Sequence, residues 1–101
     1  MTVAEPLFGS LLPDIITSPP GGVSRHLAKR LRSVESRNIT YFDVGWPIFW
    51  KEASGSNVRD VDHNLYIDLS GAFGVALIGH AHPRVVHALQ AQGEELIHGM
   101  G

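Results

Sequence analysis

The sequence contains no cysteine, so it offers neither a disulfide framework nor a thiolate for nucleophilic or metal-binding chemistry. That is compatible with a reducing cytoplasm, which is the expected compartment. The start, Met1-Thr2-Val3-Ala4-Glu5, lacks a basic region followed by an apolar run, and no window approaches the length of a bilayer span. No membrane partner is therefore expected. Charge of one sign is missing too: eight Lys and Arg against ten Asp and Glu give a formal net charge of -2, with no global field to draw nucleic acid or an anionic surface. Repeats, low-complexity tracts and flexible linkers are also absent.

What the chain has in quantity is glycine and proline, 11 and 6 in 101 residues. They lie between short elements. The 44% of hydrophobic residues would support a modest core, but too little to close on itself. Pro6, Pro13, Pro19, Pro20 and Gly21-Gly22 forbid a long helix or central strand over residues 1–22. Leu7, Phe8, Leu11, Leu12, Ile15 and Ile16 make that stretch too apolar for a free tail, so an extended arm lying on something else is expected.

Residues 23–45 read as a helix and a connector. Leu27, Ala28, Leu31 and Val34 share one side from Ser24 to about Glu35, with Ser24 as the expected N-cap. Arg25, Lys29, Arg30, Arg32 and Arg37 surround the rest. No stacking aromatic is interleaved with them, so a solvated face is the reading rather than a nucleic-acid surface.

Residues 46–79 read as a small antiparallel sheet and a glycine-spaced turn. Trp46 and Trp50 flank Pro47-Ile48-Phe49; they fill a core or interface, or wall a substrate pocket. Ile48 to Ala53 suits an edge strand before the Ser54-Gly55 turn. Val58 and Val61 precede the polar break Asp62-His63-Asn64, after which Leu65, Ile67 and Leu69 alternate with Tyr66, Asp68 and Ser70, a hairpin signal. Gly71, Gly74 and Gly79 then call for positive φ or close backbone approach. Residues 80–101 read as a helix opened by Pro83, with Val85, Val86, Leu89, Gly93, Leu96 and Ile97 at helical spacing.

Several chemical readings fail. Asp60, Asp62 and Asn64 match the first three ligand positions of a calcium loop, but Leu65 stands where glycine is needed and Gly71 where a bidentate glutamate should be. His80, His82 and His87 lack a cysteine partner and do not share a local geometry that would converge on zinc, so hydrogen bonding around the turn is the preferred role. The glycine spacing is not a dinucleotide fingerprint. Ser70, Asp68 and His80 lie close in sequence, but no strand-to-helix nucleophile elbow surrounds the serine.

Asp60-Val61-Asp62-His63-Asn64-Leu65-Tyr66-Ile67-Asp68, then Ser70-Gly71-Ala72-Phe73-Gly74-Val75, then Gly79-His80-Ala81-His82-Pro83-Arg84-Val85-Val86 resembles the N-terminal part of class III pyridoxal-phosphate-dependent aminotransferases. The likeness runs from about Pro47 to His98 and more loosely back to about Pro20. It implies an α+β segment, helix, small three-stranded antiparallel sheet, helix, within a larger α/β fold type I transferase, with the last helix leading toward the large domain. The cofactor implied is pyridoxal 5'-phosphate, and the partners are a small amino donor, a 2-oxo acid acceptor, the remainder of the enzyme chain and a second subunit of a homodimer.

By the same resemblance the turn approaches substrate. Phe73 lines the pocket, Ser70, Gly71 and Gly74 belong to the turn that carries it, and Trp46 falls in a region that also faces substrate. The Schiff-base lysine, the acidic partner of the pyridine nitrogen and the phosphate cradle lie downstream of the matching region; Lys29 and Lys51 are in no matching context. The chain alone is thus expected to be inactive. An aminomutase of the same family and a small stand-alone interaction module are the alternatives. The isolated chain is expected to be unstable or self-associating, because its sheet edges are exposed and its arm has nothing to lie on.

Overall fold

The computed structural model describes residues 5–35 and 47–99. Trp46 and the connector from 36 to 45 lie outside the described residues. The elements in chain order are α1 (Gly22–Val34), β1 (Trp50–Ser54), β2 (Asn57–Asp60), β3 (Leu65–Ile67) and α2 (Pro83–Glu95). The three strands form one antiparallel sheet in the order β1-β2-β3, with Ala53 opposite Val58 and Val58 opposite Tyr66. The two helices and this sheet are the α+β content expected from the sequence. No described helix is long and apolar enough to cross a membrane.

β1 begins two residues later than its apolar pattern suggests. Phe49 is engaged just before it: its N–H donates to Ser24 Oγ at 3.1 Å and its carbonyl accepts from Val61 N–H at 3.0 Å. Gly55 turns the chain between β1 and β2 at φ +54°. A Cβ there would meet the Gly9 carbonyl oxygen at 2.6 Å, so the position requires glycine.

The buried centre is mostly polar. Among the described residues the buried apolar side chains are Ala28, Val58 and Leu65, beside Ser24, Asn57, Asp60, Asp62 and Asn64. Buried polar groups must be hydrogen-bonded, and each of these is. Asp60 Oδ1 accepts from the backbone N–H groups of Asp62 (2.9 Å) and Asn64 (2.8 Å); its Oδ2 accepts from Asn64 Nδ2 (2.9 Å) and Tyr66 Oη (2.7 Å). Burial pushes the Asp60 carboxyl up, but the bonds from Asn64, Tyr66 and the Asp62 amide outweigh it, so the group lies below its usual value. Burial and then the Asp60 carboxylate push the Tyr66 hydroxyl up to about 12.

Asp62 corrects the expected helix start. The N-cap of α1 is Gly21, which has no side chain to cap with, while Ser24 sits inside the first turn. The Asp62 carboxylate supplies the cap from the β2–β3 connection, accepting from Val23 N–H at 2.7 Å and Ser24 N–H at 2.9 Å. A carboxylate at a helix N-terminus satisfies orphan donors and is favoured by the macrodipole. A Cβ at Gly21 would collide with the Asp62 carboxyl, which explains the glycine.

The arm is also corrected, for it lies on this chain's own sheet. Asp14 and Leu65 exchange backbone hydrogen bonds of 2.9 and 2.7 Å on the open edge of β3. The Asn57 carboxamide accepts from Gly9 N–H (2.9 Å) and Leu11 N–H (2.8 Å) and donates to the Leu11 carbonyl (3.0 Å). Asn64 Oδ1 accepts from Thr17 N–H at 2.8 Å. Prolines prevent a regular ladder, so two buried asparagines provide the partners instead.

α2 starts at Pro83 as its sequence predicts, with the His82 side chain accepting from Arg84 N–H at 3.3 Å. None of its residues is buried, and Val85, Val86, Leu89 and Leu96 are exposed. The apolar stripe therefore forms on a helix whose covering partner is not among the described residues.

Replacing Asp62 with Ala should weaken the start of α1 by about 1–2 kcal/mol, roughly a five- to thirtyfold increase in exchange at the Val23 and Ser24 amides. Hydrogen exchange on the intact protein checks this; unchanged protection there would show that Asp62 is not the effective cap.

Candidate functional site

The glycine-spaced turn is tied at both ends by one side-chain hydrogen bond. Asp68 follows β3 and donates its N–H to the Ser56 carbonyl at 2.8 Å. Its Oδ2 lies 2.6 Å from His80 Nε2, and its Oδ1 accepts from Ser70 N–H (3.0 Å), Ser70 Oγ (3.1 Å) and Gly71 N–H (3.0 Å). The two side chains are 6% and 16% exposed. The His80 ring is the largest cause holding the Asp68 carboxyl down at about 2, followed by the Gly71 amide and then Ser70, against the opposing effect of burial.

His80 is itself fixed. Its backbone N–H and carbonyl both pair with Gly55, at 2.8 and 2.9 Å, and its ring meets Trp50 edge-on at a centroid distance of 6.0 Å. Ser70, Asp68 and His80 do come together, but with the carboxylate in the middle. The Ser70 hydroxyl donates to Asp68 rather than to the imidazole, so it is not activated as a nucleophile. Likewise His80 Nε2 bonds to Asp68 and His82 Nδ1 accepts at the α2 start, the hydrogen-bonding roles expected of these residues.

Between the tied ends the backbone turns left-handed. Gly71, Ala72, Phe73 and Gly74 have φ of +59°, +53°, +56° and +89°, and Gly79 has +96°. Positive φ was expected at the three glycines. At Ala72 and Phe73 it was not, since nothing in those residue types signals it, and it costs roughly 1–2 kcal/mol per residue. The Gly71 carbonyl closes the turn, accepting from Gly74 N–H (3.0 Å) and Ala76 N–H (2.9 Å).

Ser70, Gly71, Phe73 and Gly74 thus lie on one turn. Ser70 and Gly71 are bonded to Asp68, Gly74 helps close the bend, and Phe73 stands fully exposed with Leu69, Val75 and Leu77. Trp46 is outside the described residues. A cavity of about 150 Å³ is lined by Gly55, Ser56, Asp68, Ser70, Gly71 and His80, among others. Another of about 380 Å³ lies beside Trp50, Tyr66, Ile67 and Leu69. The Asp68–His80 pair is what a reading by residue type missed; the available signal was an acid and a histidine bracketing the glycines.

The class-III aminotransferase family model matches residues 41–101, which takes in the sheet, the turn and α2. The chain belongs to the class-III aminotransferase family. It is 40% identical over 85 residues to a 4-aminobutyrate aminotransferase of Mycobacterium leprae (84% of this chain, 18% of the relative). It is 42% identical over 73 residues to a glutamate-1-semialdehyde 2,1-aminomutase of Natranaerobius thermophilus (72% and 15%). With an alanine/serine racemase of Pyrococcus horikoshii it shares 34% over 88 residues (87% and 18%). The chain therefore spans less than a fifth of the length of these relatives.

Pyridoxal phosphate is implied by the family, but the described residues do not form a set that would hold it. Lys29 on α1 and Lys51 on β1 are both exposed and stand on separate elements. The carboxylates of Asp60, Asp62 and Asp68 are committed to donors of this chain.

Because the folded Asp68 carboxyl titrates near 2 and the ordinary one near 3.8, the pair's stabilisation is fully present above pH 4 and is lost as pH falls through about 2. In the intact protein, carbon-13-labelled aspartate should show Asp68 still ionised at pH 3, and His80→Leu should raise its midpoint. A wild-type midpoint near 4 would contradict the assigned contact.

Proposed function

We propose that this chain is the N-terminal part of a pyridoxal-phosphate-dependent transaminase that moves an amino group from an amine or amino acid to a 2-oxo acid. The family match over the sheet, turn and α2 carries the reading. The short share of each relative that is matched supports its being one portion of a longer enzyme. In this reading the segment joins the small domain of a type I fold, α2 leads toward the large domain, and the enzyme is a cytoplasmic homodimer.

The cofactor, when bound, supplies an electron sink for the carbon that bears the amino group. The residues that hold it belong, on this proposal, to the remainder of the enzyme. What this chain contributes is a substrate-facing wall. Phe73 projects fully exposed from the turn, and Ser70, Gly71 and Gly74 fix where it stands. Trp46 is proposed to face substrate as well.

A second reading, an aminomutase that moves the amino group within one substrate, is supported by the 42% identical aminomutase relative. Release of a free oxo product separates the two.

The intact polypeptide made by its source should have a mass several times the 11.0 kDa of this chain. With pyridoxal phosphate, an amino donor and a 2-oxo acid it should release the oxo form of the donor. A mass of 11.0 kDa would point instead to a non-catalytic interaction module, and absence of transfer with every donor tried would contradict the transaminase reading.

A further inference from the structure

The family reading gives the turn a place beside substrate but leaves open what holds it there. The turn contains two non-glycine residues in the left-handed region, and its apolar tip, Leu69, Phe73, Val75 and Leu77, is exposed. Among the described residues these four side chains are almost fully exposed. The fixing comes from the base.

We infer that His80 and Asp68 are positioning residues that set the turn as a rigid wall for the side chain of the amino donor; this rests on the transaminase reading above. The two residues stand twelve apart in sequence and bond at 2.6 Å, so their contact closes the turn into a loop whose ends cannot separate. Each end is anchored to the same place on the sheet. Asp68 bonds Ser56 through its N–H, and His80 pairs both backbone groups with the adjacent Gly55. Gly79 lets these strands approach, since a Cβ there would already lie 3.2 Å from Gly55 Cα.

The carboxylate also reaches forward into the turn. Asp68 Oδ1 takes the N–H groups of Ser70 and Gly71, and the Gly71 carbonyl takes those of Gly74 and Ala76. A continuous run of hydrogen bonds therefore leads from the His80 ring through Asp68 to the backbone on both sides of Phe73. Trp50 packs its ring against His80, which keeps the imidazole in the orientation that directs Nε2 at the carboxylate. With Asp68 ionised, Nε2 is the donor. Without it, one carboxylate oxygen in a nearly enclosed site loses its partner, and the Gly71 end of the turn loses its fixed reference.

The test compares His80→Leu, which keeps apolar bulk against Trp50 but has no donor, with His80→Gln, whose terminal amide places a donor near the position of Nε2. Both are made in the intact protein. Hydrogen exchange at the Gly74 and Ala76 amides should rise about tenfold in His80→Leu, with the β1–β3 amides unchanged, and return toward wild type in His80→Gln. For transfer, His80→Leu should raise KM for an aromatic amino donor about tenfold relative to KM for alanine, with kcat little altered, and His80→Gln should restore it. Equal KM changes for both donors, unchanged exchange at the turn, or unfolding of the sheet even in His80→Gln would overturn the inference. A wild-type protein that transfers from no donor would instead count against the transaminase reading, and the exchange comparison would still decide whether the pair holds the turn.

Discussion

The carboxylate of Asp60 is enclosed and ionised, and the rest of the segment depends on the neutral donors that make this tolerable. Hydrogen bonds to a charged group contribute about 1.5–3 kcal/mol each, against a desolvation cost of several kcal/mol per buried ion. Four such donors offset that cost, and all come from the β2–β3 connection or from β3. Asp60 thereby dictates the path of residues 61 to 64. That path aims Asp62 at the start of α1 and Asn64 at the arm.

One consequence is an inversion of the usual distribution of polarity. Polar side chains occupy the centre, while large apolar ones, including those of the turn tip and of the α2 stripe, face outward. A chain with so small an apolar core gains little from burial within itself. Its specificity comes from directional bonds, which fix where strands, arm and helix start relative to one another. An outward apolar surface of this extent is the kind that another protein surface or a ligand covers.

What was legible in the sequence is what local chemistry decides. Alternation around Asp62-His63-Asn64 marked the hairpin, Pro83 marked the start of α2, and the glycines at 71, 74 and 79 marked positive φ. The substrate-side roles given to Phe73, Ser70, Gly71 and Gly74 came from resemblance, and the structure adds that these residues share one tied turn. What was not legible depends on groups far apart in the chain. Ser24 looked like an N-cap, but the cap comes from Asp62, 38 residues away. The arm seemed to need an outside partner because nothing in Asn57 or Asn64 announces that a carboxamide will pair with a backbone some 46 or 47 residues earlier. Ala72 and Phe73 turn left-handed under tertiary constraint, against the preference of their residue types.

The most direct test of this account is hydrogen exchange in the intact protein carrying Asp60→Ala. The Asp60 carboxylate bonds to Asp62, Asn64 and Tyr66, so the decisive amides are those of Thr17, Val23 and Ser24, which bond to Asn64 and Asp62. If one carboxylate organises the segment, all three should lose protection together, by about tenfold or more. If only the amides of Asp62 and Asn64 exchange faster while Thr17, Val23 and Ser24 keep their wild-type protection, the arm and helix are held independently and the account is wrong.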